Sequence, residues 1–161
     1  MLPSFSNLSQ FEAYLRTALR KGMAEVGEHV EEQVKRRIDL DVYGAGTPSV
    51  YDRTYDLRNS VTSRSPKRTA KGISVKIEHD INQIRSYPDR FIHGSRYWSP
   101  NMYNRYIPET VHHGKSGSLF GDGFWRDRRP YMHNAVRDIL RSQSHVQILK
   151  RSLREMGIDV L

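Results

Sequence analysis

The stretch VHHGKSGSLFGDGFW, residues 111–125, holds the side chains of this chain best suited to chemistry. Adjacent His112 and His113 raise the question of a metal, and Gly114-Lys115-Ser116 that of a phosphate-binding loop. Such a loop needs Gly, four residues and then Gly-Lys-Ser/Thr, set between a buried strand and a helix whose N-terminus faces the phosphates. Glu109 stands where the first glycine belongs, and Gly117, Gly121 and Gly123 follow too closely for a helix to begin. Neighbouring residues on a strand point to opposite faces. At the end of a strand over residues 103–113, His112 and His113 would therefore not share a cation, and neither HxxxH spacing nor cysteine supplies other ligands. Glu78-His79-Asp80 fails in the same way, because alternation separates the histidine from both acids. His29 and His133 are expected on helix surfaces or in a subunit contact. No catalytic residue, metal site or cofactor is expected.

The elements that would position these residues are legible in the hydropathy pattern. Apolar residues recur as Leu8, Phe11, Leu15, Ala18, Gly22, Val26, Val30, Val34 and Ile38, each three or four after the last, which draws one stripe along a helix over 8–38. Ser9 and Glu12 offer a capping box at its start. At 1.5 Å per residue this helix is about 45 Å long, more than so small a core covers, so Val26, Val30 and Val34 are expected to share a subunit interface. Gly22 and Gly27 permit a bend or a close crossing. The glycines and proline of residues 41–52 end the helix.

Residues 50–113 are expected to be β-rich. GISVKIEHD (72–80) sets Ile73, Val75 and Ile77 against Ser74, Lys76 and Glu78, the alternation of a half-buried strand, with NSVTSR (59–64) as its hairpin partner. Residues 82–101 read as a long surface loop, and 114–129 as a glycine-rich loop. Pro130 suits a first helical turn, and apolar spacing then continues to Met156, with a break at residues 142–144.

At 161 residues the chain fits one domain, 1–161, and its 37% apolar content is low for a self-contained core. With no cysteine there is no disulfide framework. No apolar run reaches membrane-spanning length and no signal peptide is evident, so a soluble, unexported protein is expected. The net charge of +8 is concentrated in the middle, where residues 41–129 carry fifteen basic and nine acidic side chains. SRSPKRTAKG (63–72) holds Arg64, Lys67, Arg68 and Lys71 without an acid, a loop that would attract a phosphate backbone or simply be solvated.

Three short motifs occur in order: YDRTYDLRNSV (51–61), YIPETVHHG (106–114) and RRPYMHNAV (128–136). Together with the long first helix they resemble the neck or tail-completion proteins of long-tailed bacteriophages. The first motif of that family runs Tyr-x-Arg-Thr-Gly-x-Leu-x-x-Ser, matched by Tyr51, Arg53, Thr54, Leu57 and Ser60, with Tyr55 in place of the glycine. The second normally carries an acid before its final apolar residue and glycine. Here His112 and His113 precede Gly114, so the acid is lost. The third, Arg-Pro-Phe-Leu, is matched by Arg129, Pro130, Tyr131 and Met132, and more loosely by Ala135.

The resemblance implies an α+β fold, a small antiparallel sheet packed against the long N-terminal helix and a C-terminal helix, in a subunit that forms a homo-oligomeric ring, hexameric rather than dodecameric. It implies a structural virion protein, assembled in the host cytoplasm into the neck, that joins the DNA-filled capsid to the tail. Its partners would be copies of itself, the adjacent head-completion or connector and tail-tube proteins, and transiently the phage DNA. On that reading Arg64, Lys67, Arg68 and Lys71 form a mobile loop facing the DNA lumen or a neighbouring ring. Two alternatives stay open. One is a basic nucleic-acid-binding domain; the other is a small nuclease or toxin-like enzyme using His112, His113, Asp122 or Arg128.

Overall fold

The fold is α+β. The computed structural model describes residues 4–44, 55–84, 107–109, 111–114 and 128–160. The apolar stripe of the N-terminal region forms α1, Leu8–Arg37. Its cap lies two residues earlier than Ser9: the Asn7 side chain accepts from the Gln10 N–H at 3.0 Å, and the Gln10 side chain accepts from the Ser6 N–H at 3.1 Å. An asparagine carboxamide accepts the free first-turn N–H as a serine hydroxyl would. Glu12 instead pairs with Arg16 at 3.3 Å. The helix does not stop at Ile38 but widens into a π-helical turn, Ile38–Tyr43, closed by Gly44 N–H on the Asp39 carbonyl at 2.8 Å.

The polypeptide groups into two compact units. One comprises Met1–Glu32, Ser63–Glu78 and Arg137–Leu161, the other Gln33–Thr62 and His79–Val136. In the second, the short helix α2, Asp56–Asn59, leads towards β1, Val61–Ser63. The chain continues through β2 (Lys67–Thr69), β3 (Gly72–Ser74) and β4 (Ile77–His79). These make two two-stranded sheets, β1 with β4 and β2 with β3. The expected hairpin partnership of residues 59–64 with 72–80 therefore forms, but the single long strand is interrupted at Val75 and Lys76.

Residues 107–109 and 111–113 are helical, which corrects the expected strand over 103–113. Pro108 explains the difference: it cannot donate in a central strand, yet it fits the first turn of a helix, where its missing N–H has no partner to lose.

After Pro130, whose carbonyl accepts from Asn134 N–H at 2.9 Å, come α3 (Tyr131–Ser142) and α4 (Ser144–Glu155). They are separated at Gln143 by a left-handed residue with φ 52°, within the span where the break was expected.

In the first unit α1 and α4 run antiparallel. His29 Nε2 meets Ser144 Oγ at 2.8 Å, Ser152 Oγ donates to Glu25 at 3.0 Å, and the Tyr14 hydroxyl donates to the Met156 carbonyl. Gly22 and Gly27 serve close approach rather than a bend. A Cβ on Gly22 would meet the Leu149 Cδ1 methyl at 2.7 Å, and one on Gly27 would meet Ser63 Oγ and Val75.

Val26 and Val34 are 8% and 2% exposed, and Val30 is half-buried. Val26 and Val34, two of the three residues expected at a subunit interface, are thus buried within the chain. The uncovered part of the stripe is its first turns, where Leu8 is 71% and Phe11 40% exposed.

Candidate functional site

Within the second unit, alternation along β4 turns Glu78 and His79 to opposite sides, and His79 enters a buried polar cluster. Its Nδ1 lies 2.7 Å from Ser60 Oγ and its Nε2 lies 2.9 Å from the Tyr131 hydroxyl. Ser60 Oγ also donates to the Leu57 carbonyl at 2.8 Å. A hydroxyl has one proton, so these three contacts are satisfied together by a neutral His79 with its proton on Nδ1. Tyr131 then donates to Nε2, Nδ1–H donates to Ser60, and Ser60 donates to Leu57. Burial holds the His79 imidazole down at about 4, from an ordinary 6.5, against an opposing pull from the Leu57 carbonyl. Burial, with Tyr43 adding to it, likewise raises the Tyr131 phenol above its ordinary value.

A serine 2.7 Å from an imidazole is the geometry of a nucleophile and its base. Here Ser60 has no exposed surface and its proton is committed to a backbone carbonyl. No substrate atom can reach it, so the trio acts as a tie. It joins Ser60 of the first sequence motif to Tyr131 of the third through His79, which lies in neither. Composition gave no signal for His79 as a partner; alternation told only that it faces away from Glu78.

Other motif residues within the described structure serve packing and turns. Leu57 and Val61 are buried. Tyr55, where the resembled family has glycine, adopts φ 58° and ψ 14°, a left-handed conformation that glycine enters without steric penalty. Its ring packs edge-on against Tyr43 at 4.9 Å. Arg129 donates to the Val42 carbonyl at 3.3 Å and its backbone N–H to the Val111 carbonyl at 3.0 Å. Gly114 has φ 63°, and a Cβ there would strike the backbone of Arg128. Pro130 opens α3, Met132 is half-buried and Ala135 is buried. Asp39 and Asp41 of the π-helical turn add two anchors, Asp39 to Arg58 at 2.8 Å and Asp41 to Asn134 at 2.8 Å. Tyr51, Arg53 and Thr54 lie outside the described residues, as do Lys115, Ser116 and Asp122.

The two adjacent histidines sit on a helical turn, so the alternation expected along a strand does not apply to them. Their rings meet edge to face at 4.8 Å, and His112 also packs edge-on against Tyr131 at 5.4 Å. Burial, then the charges of His113, Arg128 and His133, lower the pKa of His112. Among the described residues no group of three His, Cys, Asp or Glu side chains is placed to hold a metal ion.

In the first unit the basic segment 63–72, expected as the loop of a hairpin, is itself paired over much of its length. Lys67 faces Ser74, Arg68 faces Ile73 and Thr69 faces Gly72, with Ala70 and Lys71 at the turn. Its four cations differ in circumstance. Arg64 is bound to Glu78 at 2.5 Å, and Lys76 joins the same carboxylate. Hydrogen bonds from Lys76 and then Arg64 hold the Glu78 carboxyl down at about 2, from 4.5. Lys67, Arg68 and Lys71 are exposed, and none is engaged in an ion pair among the described residues.

A family model, that of YomN, matches residues 7–155. No curated protein and no solved structure matches the chain. No helix among the described residues is long and apolar enough to cross a membrane.

Proposed function

The chain belongs to the YomN family, which is phage-derived, and on that premise we propose that it is a structural virion protein of a tailed phage. In this reading it forms a ring in the neck that joins the capsid connector to the tail and lines the DNA passage. The observation that supports the reading is the matched span, residues 7–155, which contains the long helix and all three ordered motifs. The geometry is consistent with it, because the motif residues within the described structure are spent on packing, caps and a buried tie rather than on an accessible reactive group.

The role is non-catalytic and needs neither cofactor nor metal. The partners are further copies of the chain, as a hexamer in preference to a dodecamer, with the connector and tail-tube proteins above and below. The protein resides at the head–tail interface of the virion after assembly in the host cytoplasm. Light scattering on a size-exclusion column, with the protein alone and then mixed with its phage's connector and tail-tube proteins, tests this. A closed ring that co-elutes with either partner is expected. A chain that stays monomeric throughout and binds duplex DNA overturns the reading in favour of a nucleic-acid-binding module.

A further inference from the structure

The β2–β3 hairpin carries three exposed cations on an element that contributes no buried side chain to the core. Between residues 63 and 77 there is no acid, and the nearest, Glu78, is already shared by Arg64 and Lys76. Among the described residues, none of Lys67, Arg68 and Lys71 is in an ion pair that would compensate its charge. The register sorts the side chains: Lys67, Thr69, Gly72 and Ser74 share one face, while Arg68 and Ile73 share the other. Apart from Lys67 the first face is small and polar, and nothing lies within 4 Å of where a Cβ on Gly72 would stand. A narrow ribbon with such a face lets its backbone and hydroxyls come close to a polyanion, with lysines at both ends of it.

We propose that this hairpin is a contact site for the phosphate backbone of duplex DNA, with Lys67, Arg68 and Lys71 as the contacting cations and Arg64 as a strut that fixes the hairpin base through Glu78. Two features favour a nucleic acid over an acidic protein. A two-stranded ribbon has the width of the major groove, and protein interfaces need apolar or aromatic anchors, whereas no large apolar side chain of the hairpin is exposed. Contacts to phosphate carry no sequence information, so the proposed binding is indifferent to sequence. The site goes beyond the ring reading, since it belongs to a single subunit whether or not subunits assemble.

Fluorescence anisotropy of a labelled duplex of mixed sequence, titrated with the full chain across a salt series, is the test. Each neutralised phosphate contributes about −0.9 to the slope of log affinity against log salt. The triple variant K67Q/R68Q/K71Q should flatten the slope by about 2.7, while its circular dichroism and melting temperature match wild type. Lys71→Gln alone, at the turn and outside the paired register, should flatten it by about 0.9, which keeps the test valid should the triple variant fold poorly. A triple variant with the wild-type slope overturns the proposal, as does a wild-type chain that ignores duplex in dilute salt. Equal binding to polyglutamate assigns the hairpin to an acidic protein instead.

Discussion

His79 ties two sequence motifs together, and its charge state governs whether the tie holds. The unfolded chain takes up a proton there below about 6.5, the folded chain only below about 4. Between those values unfolding binds a proton, so stability rises with pH; the contribution is complete above 6.5 and is lost as pH falls towards 4. Were His79 to protonate in place, the Tyr131 hydroxyl could turn to the Pro108 carbonyl at 3.3 Å, so burial of the charge, not a lost hydrogen bond, opposes it. Urea denaturation should show the wild type losing about 2 kcal/mol more than His79→Gln between pH 7 and pH 5. Parallel pH profiles for the two proteins would show that the half-buried imidazole is not the group responsible. The Glu78 contribution falls in a different window, from 4.5 down to about 2, and is complete at both test pH values to within a small residue. Residue identity alone hid this site: Ser60 and Tyr131 were legible as motif positions, but nothing in spacing says that residues 19 and 52 positions from His79 converge on it. Tyr55 was legible only as a departure, and its positive φ supplies the physical reason glycine suits that place.

At the scale of elements, helices announced themselves better than strands. A stripe nine positions long survives one irregular residue, so α1 and the break at Gln143 could be read from periodicity. Strands of three residues leave no room for a period, and the interruption at Val75 and Lys76 is invisible in an alternating run. What covers a helix is also not written in its own stripe. Gly22 and Gly27 both admit close neighbours, yet the neighbours differ in how far they can yield. The Leu149 methyl facing Gly22 is the far end of a flexible side chain, whereas Gly27 faces the short Ser63 side chain and the β-branched Val75. Gly22→Ala should therefore stay within about 1 kcal/mol of wild type, its helix propensity gain offsetting a small shift of Leu149. Gly27→Ala should cost about 1–3 kcal/mol through overpacking. Thermal melts of the two variants decide the matter, and a Gly27→Ala protein more stable than wild type would mean that the strand yields at that crossing.

For the whole molecule the question is where apolar surface is left for another chain. The α1–α4 pairing reaches Tyr14, whose hydroxyl binds the Met156 carbonyl, and the chain then turns back on α4, with Ile158 N–H on the Leu153 carbonyl at 2.9 Å. Among the described residues, the two turns of α1 that precede Tyr14 have no such companion. Phe5 packs edge-on against Phe11 at 5.4 Å and tilted on Tyr14 at 5.2 Å, but Leu8 and Phe11 remain exposed. If the subunit assembles as proposed, these turns offer it an apolar contact, as Val26 and Val34, buried within the chain, do not. The two ends of the stripe should then respond differently to a charge. Val26→Asp buries an unpaired carboxylate and should unfold the subunit outright. Leu8→Asp and Phe11→Asp, in contrast, should leave circular dichroism and the melting temperature close to wild type while shifting light scattering from assembled ring to free subunit. If both charged variants assemble as the wild type does, subunits meet on another surface and the overhanging turns of α1 are not part of the ring contact.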